Sequence, residues 1–95
     1  MISKQYVKSR DAVKVTFTVD FAPDAEVVEV AGDFNEWSPL PMKRLKSGVY
    51  KAAVDLAPGQ TYQYRYCVDG VWENDWSADD YVSNGFGEEN SVILC

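Results

Sequence analysis

The sequence predicts an all-β fold, a single antiparallel immunoglobulin-like β-sandwich, on three observations. Apolar and polar residues alternate through several short runs, turn formers recur about every eight to twelve residues, and no helical period is sustained anywhere. Met1 to Asp11 ("MISKQYVKSRD") is polar and mostly aperiodic, and reads as a tail or a short edge strand. Residues 12–95 are expected to form the sandwich.

The first alternation sets Val13, Val15, Phe17 and Val19 against Lys14, Thr16 and Thr18, as in a half-buried strand, until Pro23 breaks it. "EVVEVAG" resumes with Val28 and Val30 on one face. The stretch "GDFNEWSPLP", residues 32–41, follows. Its turn formers Gly32, Asp33, Asn35, Ser38, Pro39 and Pro41 place Trp37 in a loop, where a large indole either plugs a gap or meets a ligand.

"GVYKAAVDL" places Tyr50, Ala52, Val54 and Leu56 on one side and Lys51 and Asp55 on the other, and "APGQ" turns the chain. In "TYQYRYCV" the inward face is expected to carry Tyr62, Tyr64, Tyr66 and Val68, and the outward face Thr61, Gln63, Arg65 and Cys67. Asp69-Gly70 signals a two-residue type I′ hairpin. That register pairs Cys67 with Trp72, so Trp72 lies diagonal to Arg65 on the outer face. Residues 74–90, rich in Asp, Asn, Ser and Gly, read as loop before a last strand at "SVIL".

The 95 residues suit one domain, since natural domains mostly run from about 50 to 200 residues. With 46% hydrophobic and 14% aromatic residues, the chain has enough apolar surface for a core. The net charge of −6 is uneven: residues 52–95 hold one basic residue against eight acidic ones. Nucleic acid and anionic membranes need clustered cations, so a neutral ligand fits better. Two cysteines, Cys67 and Cys95, make no disulfide framework, and the absence of histidine removes the usual zinc set. No apolar run resembles a signal peptide or a membrane span, and the cytoplasm is the expected compartment.

Three constellations carry chemistry. Trp37, Trp72 and Trp76 offer dry faces with a polar N–H, which suits a pyranose ring, although core filling is the commoner use of tryptophan in so small a domain. Arg65, Gln63, Asn35 and Asn90 carry donor and acceptor forks that match vicinal hydroxyls, provided they converge with the tryptophans; otherwise they are a solvated face. Glu73, Asp75, Asp79, Asp80, Glu88 and Glu89 form an acidic run that lacks EF-hand spacing and is expected in solvated loops. A thin sandwich has little depth in which to retune two carboxylates for glycoside hydrolysis. No nucleophile–base set can be built, and Cys67 is expected to be a half-buried thiol. A non-enzyme without cofactor or metal is therefore predicted.

"GDFNEW", then "YRYCVDGVW", then "GEEN" before a closing apolar strand occur in that order within residues 27–93. This combination resembles carbohydrate-binding module family 48, which groups the glycogen-binding domain of AMP-activated protein kinase β subunits with N-terminal modules of isoamylases and branching enzymes. The resemblance implies a noncatalytic β-sandwich that binds α-1,4-linked glucans such as glycogen, starch or maltodextrin, and cyclodextrins. It implies that Trp37 and Trp72 stack on sugar, that Arg65 and Asn90 bond its hydroxyls, and that Phe86 reaches through the loop as the large apolar residue. Arg65 stands where the kinase form has lysine, and Glu88 where a hydroxyl residue is expected. Members attached to branching and debranching enzymes also serve as packing partners of a catalytic barrel. A second expectation therefore stays open: an interaction module that docks on a separate glucan-active enzyme or kinase through the same aromatic face.

Overall fold

The computed structural model describes residues 1–85 and 87–95. Its strands are β1 (Ile2–Val7), β2 (Ala12–Val19), β3 (Val28–Gly32), β4 (Leu40–Pro41), β5 (Lys43–Arg44), β6 (Tyr50–Leu56), β7 (Thr61–Val68), β8 (Val71–Glu73), β9 (Asp80–Ser83) and β10 (Glu89–Leu94). Two antiparallel sheets result. One has the order β1-β2-β6-β5; the other has the order β4-β3-β7-β10-β9, with β8 added beside β7.

The alternation in β2 becomes one wall of the core, with Val15, Phe17 and Val19 fully buried. Tyr64 and Tyr66 of β7 supply the opposite wall, together with Val28, Val30 and Ile93. Phe17 sits among the aromatics, its ring centroid 5.3 Å from Tyr64 and 6.4 Å from Tyr66. Tyr62 keeps the same side but is only partly buried, and its hydroxyl accepts from Ala57 N–H. The inward tyrosine stripe of β7 is thus as expected from its period.

Of the two readings of residues 1–11, tail or short edge strand, the structure has the edge strand: Ile2–Val7 pairs with β2 from Ile2↔Phe17 to Val7↔Ala12. Its polar composition is compatible with this, because an edge strand is held by backbone pairing and needs few buried side chains. Two stretches differ from the sequence-based expectation. The "GDFNEWSPLP" segment ends in β4, which pairs with β3, while β5 two residues on pairs with β6 in the other sheet. Met42 lies buried at that crossing, and its N–H donates to Val28 O. Residues 80–83, read as loop, form β9 against β10.

The hairpin at Asp69-Gly70 has the expected register, with Val68↔Val71 and Cys67↔Trp72. Both turn residues take positive φ, 48° and 85°, as a type I′ turn requires. Asp69 also ties the turn to the segment leading into β3, because its Oδ1 accepts from Glu26 N–H and Val27 N–H.

Candidate functional site

The loop after β3 starts at Gly32, where the chain presses on β7. A Cβ there would lie 2.4 Å from Gln63 O and 2.9 Å from Tyr64 Cβ, so only glycine fits. A 3-10 turn, Asp33–Asn35, follows. Asn35 caps it: Oδ1 accepts from Gly32 N–H, and Nδ2 donates to Val30 O. Asn35, a candidate ligand residue in the sequence, is thus committed to shaping the loop, and it lies outside the groove described below.

The loop contains both a plug and an outward-facing ring. Phe34 turns inward and stacks on Phe17 at 5.5 Å. Trp37 turns outward from a backbone held in the left-handed region, with φ 55° at Glu36 and 60° at Trp37. Such conformations cost about 1–3 kcal/mol for non-glycine residues and persist where surrounding bonds fix them. Here Trp37 N–H donates to Gly32 O, and Ser38 N–H to Asn35 O. The indole Nε1 donates to Asp33 Oδ1 at 3.0 Å, while Asp33 Oδ2 accepts from Gln63 N–H at 2.8 Å. One carboxylate therefore orients the ring and ties it to β7.

Trp72 approaches from the opposite edge of β7 on β8, 43% exposed, and its ring lies 6.5 Å from Trp37 at 65°. Arg65, Gln63, Asn90, Asn84 and Asp33 complete a groove of about 310 Å³ with the two indoles. Of the five residues assigned to the site from sequence, Trp37, Arg65, Trp72 and Asn90 meet there; Phe86 lies outside the described residues. Gln63 joins them, its Oε1 accepting from Asn90 Nδ2 at 3.0 Å. Asp33 was missed, although the spacing Asp33 to Trp37 is a local signal that could have disclosed it.

Arg65 is the charged centre of the groove. Its Nη1 lies 2.6 Å from Glu88 Oε2, and its Nε donates to Asn74 Oδ1. The guanidinium is mostly covered, its side chain 12% exposed, whereas Glu88 is 59% exposed. An ion pair with one partner in water is held weakly enough for a hydroxyl to compete for it.

The acidic run is not uniformly solvated. Asp75 is buried, and its Oδ2 accepts from the inward-facing Tyr64 and Tyr66 hydroxyls at 2.8 and 3.0 Å. Ser77 N–H donates to Oδ1, and the Met1 ammonium lies 2.7 Å from Oδ2. Burial alone would raise this carboxyl, but the bonds from the ammonium, Ser77 and Tyr64 outweigh it and hold the group below the ordinary carboxylate range. Burial first, with the Asp75 carboxylate adding to it, pushes both phenols well above their ordinary value. Asp79 is also engaged, accepting from Lys4 Nζ and Leu94 N–H. The expectation of solvated loops fails for Asp75 because its partners come from β7, out of reach of a local reading. Cys67 is buried rather than half-buried, between cross-strand partners Glu29 and Trp72. Among the described residues, no group of three or more His, Cys, Asp or Glu is placed to hold a metal ion.

The model of carbohydrate-binding module 48 (isoamylase N-terminal domain) matches residues 5–82. The chain is similar to 5'-AMP-activated protein kinase subunit beta-1 of Homo sapiens, 38% identical over 66 residues, covering 70% of this chain and 23% of that protein. It is 46% identical over 54 residues to the 1,4-alpha-glucan branching enzyme GlgB of Deinococcus radiodurans, covering 54% of this chain and 8% of the enzyme. It thus spans less than a quarter of the length of either relative. Among solved structures, apo pullulanase from Paenibacillus barengoltzii matches 100% of this chain and 14% of its own, with TM-score 0.59 and 25% identity. A match over residues 5–82, carried on a two-sheet antiparallel sandwich, establishes that the chain belongs to the carbohydrate-binding module 48 family.

Proposed function

We propose that the groove beside β7 binds α-1,4-linked glucan chains such as glycogen, starch or maltodextrin, and that the domain does so without catalysis. The observation that carries this reading is convergence: Trp37, from the loop after β3, and Trp72, from β8, meet 6.5 Å apart in the groove that contains Arg65, Gln63 and Asn90. The indoles supply stacking faces, and the guanidinium and amides supply forks for paired hydroxyls. Phe86, the fifth residue assigned from sequence, lies outside the described residues. An open groove leaves one side of the ligand wet. Dissociation constants in the micromolar to millimolar range are expected, or about −8 to −4 kcal/mol.

Titration with maltoheptaose or β-cyclodextrin, followed by tryptophan fluorescence and calorimetry, tests the proposal; no response at millimolar ligand overturns it. Absence of catalysis is tested by incubation with amylose and an assay of reducing ends. Asp75, whose carboxylate is taken up by two tyrosines and Ser77, is poorly placed for acid–base work. Release that disappears in Glu73→Gln or Asp75→Asn would overturn the noncatalytic reading.

A second reading has one observation in its favour: the relatives that share the matching stretch include a kinase subunit and a glucan branching enzyme. In it, the same aromatic face docks on a separate glucan-active enzyme. Competition separates the two: a docked partner that maltoheptaose cannot displace would place docking elsewhere.

A further inference from the structure

We propose that a linear α-glucan long enough to leave the first groove continues across Arg65 and stacks on Trp76, which forms a second subsite of the same chain. The inference rests on the glucan reading of the first groove and extends it. Trp76 is 82% exposed, the most exposed of the large apolar side chains among the described residues. An indole left in water forfeits the gain of burial, so its exposure needs a reason.

Fraying does not supply that reason, because the backbone on both sides of the ring is pinned. Asp75 N–H donates to Ser91 Oγ at 2.9 Å, and Asp75 O accepts from Tyr81 hydroxyl at 2.6 Å. Ser77 N–H donates to Asp75 Oδ1, and Ala78 N–H to the Tyr81 hydroxyl. The most buried carboxylate in the molecule thus anchors the turn that presents the most exposed indole. A rigid turn holding a ring in water is a preorganised platform.

The surroundings suit hydroxyls. Trp76 lines a groove of about 610 Å³ with Arg65, Asn74, Tyr81, Glu88 and Glu89. Glu88 and Glu89 are exposed acceptors, and hydroxyl donors bond carboxylates strongly. Arg65 lines both grooves, so the pair it makes with Glu88 forms a saddle between them rather than an outer wall. A chain leaving Trp72 would pass from the guanidinium to carboxylates and then to the second ring.

Calorimetry with maltotriose and maltodecaose on the parent, Trp76→Ala and Trp37→Ala tests this. Trp76→Ala is expected to weaken maltodecaose about tenfold, equivalent to ~1.4 kcal/mol, with maltotriose and the melting midpoint unchanged. Trp37→Ala is expected to weaken both sugars. If Trp76→Ala binds maltodecaose as the parent does, or loses both sugars equally, the second subsite is overturned while the first groove stands. If the parent binds neither sugar, both readings fall.

Discussion

The two faces of β7 put neighbouring residues to opposite uses. Tyr64 and Tyr66 point inward, fully buried, with their hydroxyls on Asp75. Gln63 and Arg65 point outward into the groove between two tryptophans. One face contributes packing that any partly unfolded state would lose; the other carries polar and aromatic groups held in place yet open to water. Since the strand fixes both, the groove inherits its geometry from the core, and changes on the two faces should affect different measurements.

The largest effect that would break this division is on the inner face. Tyr64→Ala should cost about 3–5 kcal/mol of stability, as large aromatic deletions in cores do, whereas Trp72→Ala should cost far less. Denaturant melts of both variants decide it, and equal large losses would return Trp72 to the core. Next comes Asp75→Asn, expected to cost about 1–3 kcal/mol by weakening bonds to two buried phenols.

The same variant sharpens the comparison through pH. The folded Asp75 carboxyl lies below its ordinary value, so its contribution is present above that value and lost as pH falls through the lowered one. Both tyrosines are raised above 10.0, so their contribution is present below that value and lost as pH rises past it. Melting midpoints should therefore be flat near neutrality and fall at both extremes. Asp75→Asn should flatten the acid limb.

On the outer face the effects are smaller and fall on affinity. Trp37→Ala and Phe86→Ala should each weaken maltoheptaose by more than about 1 kcal/mol and leave the melting midpoint nearly unchanged. Asp33→Ala should cost about 0.5–1.5 kcal/mol of affinity by releasing the Trp37 indole and the Gln63 amide, although Asp33 need not touch the sugar. Smallest is Glu88→Thr, which frees the Arg65 guanidinium and should hold or raise affinity in calorimetry with β-cyclodextrin.

Legibility in the sequence followed the range of the interactions. Alternation disclosed β2 and β7, and the Asp69-Gly70 turn disclosed the pairing of Cys67 with Trp72, because these depend on residues a few positions apart. From that register the juxtaposition of Trp72 with Arg65 could be read. The arrival of Trp37 beside them could be expected only from the family resemblance, since it depends on β3 lying against β7. Asp75 was misread for the same reason: its window is polar, and only the distant tyrosines make it core. For β1 the sequence left tail and edge strand both open, because the identity of a polar edge strand lies in backbone pairing alone.

The outer edge of β7 is shared. β10 pairs with residues 61–64, and β8 with residues 66–68. Arg65 falls at the junction, and the strands bearing Asn90 and Trp72 are joined through β7 rather than by pairing with each other. Each can therefore drift in sequence without re-registering the other, so the two ends of the groove are free to evolve separately. A single framework could in this way be retuned for chain length at one end while its grip at the other is conserved.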